Sequence, residues 1–468
     1  LSPNTSIDKE LNSSSAALPL RNHPLIDDLL DNPLFDFNLH RHDFTTIDGE
    51  FAEISERVAS PLVNTAIIAS ASAKTPDSQL KRERQFTLLS HARNILVDAN
   101  IKNSTGTSSH RTCTCHTRKA ASGDNPTIKL PKDPDNRQAT IGNVQTCGSV
   151  WSCPVCYERK ALSEGLTIQK EIDYAKKNGL EPMMIVLTAS HSREMSLTYS
   201  KSTFKDAWDS FNAHRQWKKF KRKFKVRYVI TNVDITWTPA NGWHYHKHLL
   251  LFLDRDGIDL AEAFLAADAL LTDVWQQQLE NNERQADSEH GLFVSERGKS
   301  ATDYIAKIGI TIQDNGKLHF EMTSSKTKNS YTVWDLLTAS LEGSIWARKL
   351  YIEYVVSMSG DNWITHGRGK TNMKKLVEDY ELEGIEKQET FRHWAKFSDY
   401  WWDIVVWADN GQSRILRVAA RKRDIEEVRD ELFKLREELI ESNSVSDYYR
   451  LFLPEENSIS DMRIHEDW

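Results

Sequence analysis

Apolar and polar positions alternate along the middle of the chain in two distinct periods. Runs of period two predict strands at Pro182–Ser190, Arg227–Trp237 and His244–Leu253, with a short edge strand at Gly291–Ser295. The turn signal Pro239 to Gly242 joins the second and third of these as an antiparallel hairpin. Helical spacing appears at 79–100, where Phe86, Leu88, Leu89, Ala92, Ile95 and Leu96 form a stripe that reads as core. Further helices are predicted over 157–177, 201–225, 260–279, 334–358 and 413–442. In the last, Ile425, Val428, Leu432, Leu435 and Leu439 follow heptad-like spacing, suited to packing on the body of the protein or to a dimer seam. Residues 1–80 are polar, carry two short helix candidates at 24–30 and 47–59, and read as a variable, partly disordered extension.

The hairpin carries the first candidate chemistry. In Gly242-Trp-His-Tyr-His-Lys-His248 three histidines recur every second residue, so His244, His246 and His248 share one face of a strand. The apolar run Leu249–Leu253 that follows makes this a strand buried on both faces. Imidazoles held side by side on a rigid strand can bind a divalent metal, and Asp234 on the preceding strand can supply a carboxylate. Lys247 points to the opposite face, where it must snorkel outward or meet an acid.

Composition adds a second metal site. All five cysteines fall between Cys113 and Cys156, a poor disulfide framework for 468 residues but a suitable metal cluster. Cys153-Pro-Val-Cys156 has the spacing of a zinc knuckle. Cys147 and either Cys115 or Cys113 complete four ligands, with His116 as a substitute, and the site reads as structural zinc. The net charge of −7 is mild, so any nucleic-acid surface must be a local patch. One such patch is Arg215, Lys218, Lys219, Lys221, Arg222 and Lys223, either a solvated face or a ridge that contacts phosphate. No apolar run can span a bilayer and no secretory pattern opens the chain, so a soluble cytoplasmic protein is expected. Tyr304 and Lys307, three apart on a predicted helix, can pair a phenol nucleophile with an ammonium group.

Together these segments resemble the plasmid rolling-circle replication initiators of the HUH endonuclease superfamily. The resemblance rests on Cys147-Gly-Ser-Val-Trp-Ser-Cys-Pro-Val-Cys156, on Val186-Leu-Thr-Ala-Ser-His191, Asp234 and Gly242–His248, and on Tyr304-Ile-Ala-Lys307, in that order. It spans roughly residues 110 to 375. It implies an α+β fold, a central antiparallel sheet flanked by helices with the histidine strand in the middle, plus a Cys zinc knuckle and a helical C-terminal region. With the composition and helix spacing it divides the chain into an extension at 1–100, a Cys-rich module at 101–165, a nicking and joining core at 180–315, a helical extension at 316–380 and a helical C-terminal region at 381–468, the two ends having no counterpart in the family.

By this resemblance His246 and His248 bind a catalytic Mg or Mn ion, with Asp234, where the family usually has glutamate, or His244 as third ligand. Tyr304 is the nucleophile that cuts single-stranded origin DNA, leaving a 5′-phosphotyrosyl enzyme and a 3′-OH primer, and Lys307 accompanies it. A host helicase and polymerase are the implied partners. A transposase or relaxase would share the chemistry. A zinc-stabilised DNA-binding regulator would carry the same cysteines without needing Tyr304, and a small-substrate metallohydrolase would need further ligands.

Overall fold

The computed structural model describes residues 76–103, 106–284, 291–294, 310–312, 318–320, 330–367, 373–377, 391–441 and 463–464. The predicted helices at 24–30 and 47–59, and the stretch with Tyr304 and Lys307, lie outside the described residues. The fold is α+β, with antiparallel sheets flanked by helices.

Helix α1 (Pro76–Asp98) comes first, and all six residues of its predicted stripe are buried. Strands β1 (Thr127–Pro131) and β2 (Thr140–Gly142) follow, between Cys115 and Cys147. Helix α2 (Pro154–Lys177) leads to β3 (Leu180–Leu187). Helices α3 (Leu197–Ala213) and α4 (Arg215–Lys223) then precede the long hairpin β4 (Val226–Thr238) and β5 (Gly242–Asp254). Next are α5 (Leu260–Ala266), a π-helical turn, α6 (Thr272–Glu280), β6 (Leu292–Val294) and a small hairpin, β7 (Ile310–Ile312) with β8 (Leu318–Phe320). The remaining elements are α7 (Val333–Leu341), α8 (Ile345–Ser357), β9 (Ile364–His366), α9 (Met373–Leu376), β10 (Phe391–Lys396), α10 (Asp399–Trp407), α11 (Gly411–Lys422), α12 (Ile425–Glu441) and β11 (Arg463–Ile464).

Three predicted helices are each broken once. His214 is extended (ψ 142°) and ends α3, while its Nδ1 accepts the Gln216 N–H to cap α4. Gly343, at φ +100°, separates α7 from α8 and needs a conformation that side chains rarely adopt. Arg423, at φ +53°, ends α11, and Asp424 then accepts the Glu426 N–H at the start of α12. Apolar spacing continues across each break, so periodicity alone could not reveal them.

The main sheet has the order β6-β3-β5-β4-β9, all antiparallel, with the histidine strand β5 in the centre. On one face Tyr245 meets Phe204 of α3, which also packs on Trp275 of α6. On the other face α2 is tied down by the Tyr228 hydroxyl, 3.2 Å from the Glu171 carboxylate. Strand β9 joins the edge of β4 and is held by the same helix. His366 bonds Glu164 at 2.9 Å and Glu171 at 3.1 Å, and Lys374 bonds Glu164 at 3.1 Å. Burial works against a charge on His366, but the two carboxylates outweigh it and push its pKa up to about 9. That is above the ordinary value of 6.5, so the clamp stabilises fully below about pH 6.5 and is lost as pH rises through 9. The loss should reach on the order of 2–3 kcal/mol. A His366→Gln variant should lose this slope when melting temperature is followed from pH 6 to 10.

A second sheet, β11-β10-β1-β2, pairs the C-terminal segment with the Cys-rich stretch. One apolar cluster joins Phe86 and Leu89 of α1, Ile128 of β1, Cys153 and Cys156, Trp401 and Trp402 of α10, and Leu416 of α11. Val428, Leu432 and Leu435 of α12 are buried in it, so the heptad face packs within the chain. No helix among the described residues is long and apolar enough to cross a membrane.

Candidate metal centres

The cysteine group is assembled from two chain reversals. The short 3-10 helix Arg111–Thr114 presents Cys115, while Cys147 and the N-terminus of α2 supply the other three sulfurs. The Sγ atoms of Cys115, Cys147, Cys153 and Cys156 lie within 4.8 Å of one another. Three of the separations are 3.6 Å: Cys115 to Cys153, Cys115 to Cys156, and Cys147 to Cys156. A disulfide needs about 2.05 Å. Four sulfurs tetrahedrally placed at the zinc distance of about 2.3 Å lie about 3.8 Å apart. Backbone N–H groups face the sulfurs: Cys156 to Cys153 at 3.4 Å, Cys147 to Cys115 at 3.3 Å, and Ser149 to Cys147 at 3.4 Å. Cys153 caps α2 and Pro154 opens it, so the sulfurs sit at the positive end of a helix.

Arg93 gives an independent reason to place negative charge here. It is buried, and its guanidinium bonds the carbonyl of Cys115 at 2.5 Å and Gln412 Oε1 at 3.0 Å. Burial lowers its pKa, and the charges of Cys115, Cys153, Cys113 and Cys147 oppose that shift. A divalent ion on four thiolates leaves two negative charges, which would balance this buried cation. Cys113 is half-buried and stands outside the group of four. His116 also stands outside it: burial, then the charges of Arg93 and Arg159, lowers its pKa to about 3, and its ring packs edge-on against Phe86.

The second centre follows from register. Asp234 is directly opposite His246 across the β4–β5 ladder, Asn232 is opposite His248, and Thr236 is opposite His244. All six therefore share one face. Asp234, His246 and His248 offer ligand atoms within 4.8 Å of one another, with 3.1 Å from His246 Nε2 to Asp234 Oδ2 and 4.0 Å from His248 Nε2. His246 Nδ1 is buried and has no hydrogen-bond partner among the described residues, and Asp234 Oδ2 is buried against His246 Nε2. Burial opposes the charge of Asp234. Attraction to His246, a hydrogen bond with it, and the further charge of His248 prevail, and its pKa falls below the ordinary value. An ionised carboxylate and two imidazoles make a mixed oxygen and nitrogen set that fits a divalent cation, and the imidazoles suit Mn better than Mg.

His244 is not in this trio. Its ring stacks on His246 (centroids 4.6 Å, interplanar 26°) and, on its other side, on His191 (4.7 Å, 12°). In the sequence His191 stands only as the last residue of the Val186–His191 segment, with no role of its own, since the turn that folds it back over β5 leaves no periodic signal. Burial, with the charges of Arg284 and His246, holds its pKa down. Asn232 was also missed, although period two from Asp234 places it on the same face.

On the opposite face Lys247 lies over the Trp208 ring, 4.7 Å from its centroid. Burial lowers its pKa to about 8, with Asp209 and Asp361 opposing the shift. The side chain thus meets an aromatic face, with two acids acting on it electrostatically.

The basic residues of α4 stand apart from both centres. Trp217 and Phe220 anchor the helix, and Arg215, Lys218, Lys219, Arg222 and Lys223 are exposed. Lys221 is half-buried over the Trp217 ring, and Lys223 pairs with Glu262. None of these residues belongs to either ligand group.

No protein-family model, curated protein or solved structure matches this chain. Its function is therefore argued from these two centres and from the motifs that carry the resemblance.

Proposed function

We propose that this protein is a metal-dependent DNA nicking and joining enzyme that initiates rolling-circle replication of a plasmid. The observation that carries the reading is the trio of half-buried Asp234 on β4 with buried His246 and His248 on the central strand of an antiparallel sheet. Its place in the chain, after the Cys-x-x-Cys helix and before Tyr304-Ile-Ala-Lys307, supports the same reading.

In this reading Asp234, His246 and His248 hold a Mg or Mn ion. When bound, such an ion supplies Lewis-acid polarisation of a phosphoryl oxygen. The chain's own residues do the rest. The Tyr304 phenol gives up its proton as its oxygen attacks phosphorus in line. The bond from phosphorus to the 3′ oxygen breaks, and that oxygen leaves as a 3′-OH after taking a proton. Lys307 eases phenolate formation and offsets phosphate charge. The 5′-phosphotyrosyl bond retains the energy for later rejoining. Zinc on Cys115, Cys147, Cys153 and Cys156 is structural, because four sulfurs leave no open position for substrate. The α4 patch contacts phosphates beyond the cleavage site.

The test is incubation of the full chain with Mn and single-stranded DNA containing the plasmid's origin. A protein–DNA adduct that survives denaturation is expected, and it should vanish on chelation and in Tyr304→Phe. DNA binding without any adduct would instead favour a zinc-stabilised regulator.

A further inference from the structure

His191 belongs to no motif role assigned above, yet three contacts hold its loop in place beside the histidine strand. The Trp275 indole donates to the Thr188 carbonyl at 2.7 Å. The buried Arg284 guanidinium donates to the Ser190 carbonyl and, at 2.8 Å, to Thr203 Oγ1. Gly242 forms the third contact. It has φ +72°, and a Cβ there would lie 2.8 Å from the Ser192 carbonyl oxygen and 2.9 Å from Arg193 Cα. A glycine at the start of β5 thus lets the backbone after His191 lie directly against the strand.

The outcome is a row of rings running outward from the metal trio: His246, then His244, then half-buried His191. His191 and His244 are within 12° of parallel at 4.7 Å. A metal lies in the plane of the imidazole that binds it. Two nearly parallel planes do not meet nearby, so these two rings cannot share one ion. What a parallel pair can offer is a π-face.

We infer that His191, backed by His244, is a stacking shelf for a nucleobase of the single strand whose phosphate occupies the Asp234, His246 and His248 centre. Base–aromatic stacking tolerates any base, because every base has a π-face. The shelf would therefore fix the strand near the scissile phosphate without reading its sequence. This rests on the proposed action on single-stranded DNA, and on nothing about which residue is the nucleophile.

The experiment compares wild type, His191→Ala and His191→Phe in Mn, measuring equilibrium binding of a single-stranded origin oligonucleotide and Mn affinity separately. His191→Ala should weaken DNA binding about 5- to 100-fold, the worth of one base stack. His191→Phe, which keeps a π-face and removes both ring nitrogens, should stay within about 3-fold of wild type. Mn affinity should be unchanged in both. Scanning an abasic nucleotide along the oligonucleotide should find one position that weakens wild type and leaves His191→Ala unaffected. Equal losses in the two variants, or a drop in Mn affinity, would overturn the shelf in favour of a nitrogen-dependent role. If wild type forms the adduct and His191→Ala binds as tightly, only this inference falls. If wild type binds no single strand at all, the proposed function falls with it.

Discussion

Replacing Cys153 by alanine is expected to release one equivalent of zinc per chain and to lower stability by at least about 4 kcal/mol, the upper tail of single-substitution effects. Cys153 is fully buried within the apolar cluster that joins α1, β1, α10, α11 and α12. Its sulfur faces Cys115 at 3.6 Å and accepts the Cys156 N–H at the first turn of α2. That group also closes the chain on itself. The Tyr351 hydroxyl of α8 bonds the Ser152 carbonyl at 2.7 Å, Trp151 Nε1 bonds the Asp361 carbonyl at 2.9 Å, and Trp402 Nε1 bonds the Thr117 carbonyl at 2.7 Å. Loss of the ion would leave Arg93 as a buried cation without compensating charge, which adds to the cost. Metal analysis together with thermal unfolding measures both quantities. Cys113→Ala is the control, since Cys113 stands outside the four. It should keep its zinc and melt close to wild type. Equal losses from Cys113→Ala and Cys153→Ala would mean that the set of four ligands is misassigned.

Asp234→Asn is expected to reduce nicking by about a thousand-fold or more, equivalent to the several kcal/mol a bound ion supplies as a Lewis acid. The change keeps the shape of the side chain and removes its charge. It takes away the single anionic ligand of the trio while leaving the β4–β5 ladder intact. Mn affinity should fall at least tenfold, and the melting temperature without metal should stay the same or rise, because a buried charge has gone. Calorimetric titration with Mn and the adduct assay separate the two effects. Wild-type Mn affinity in Asp234→Asn would remove Asp234 from the centre, and a matching loss in His244→Ala would put His244 in its place.

Part of this was legible in the residues because it is local. Period two in Gly242–His248 specified a strand and put three histidines on one face, and the apolar run after it specified a central one. Cys153-Pro-Val-Cys156 specified two sulfurs at a helix start. The α1 stripe specified a core face. What was not legible depends on distant segments. Strand β9 becomes a strand because β4 has an open edge and Glu164 and Glu171 of α2 face His366. Strand β10 finds its partner in β1, more than 250 residues earlier.

The sequence by itself narrowed each candidate ligand set to a few residues, because spacing along a strand or a helix turn decides which side chains can point together. It also determined the central position of β5, because a run apolar on both faces must be covered on both. Only the tertiary structure decided which cysteines form the four, separating Cys115 from Cys113 by how the 3-10 turn aims each sulfur. It decided that Asp234 rather than His244 joins the trio, through the register that sets Asp234 across from His246. It also decided that His191 lies beside the histidines. Distances between segments are set by how the sheet and its helices pack, and no spacing along the chain encodes them.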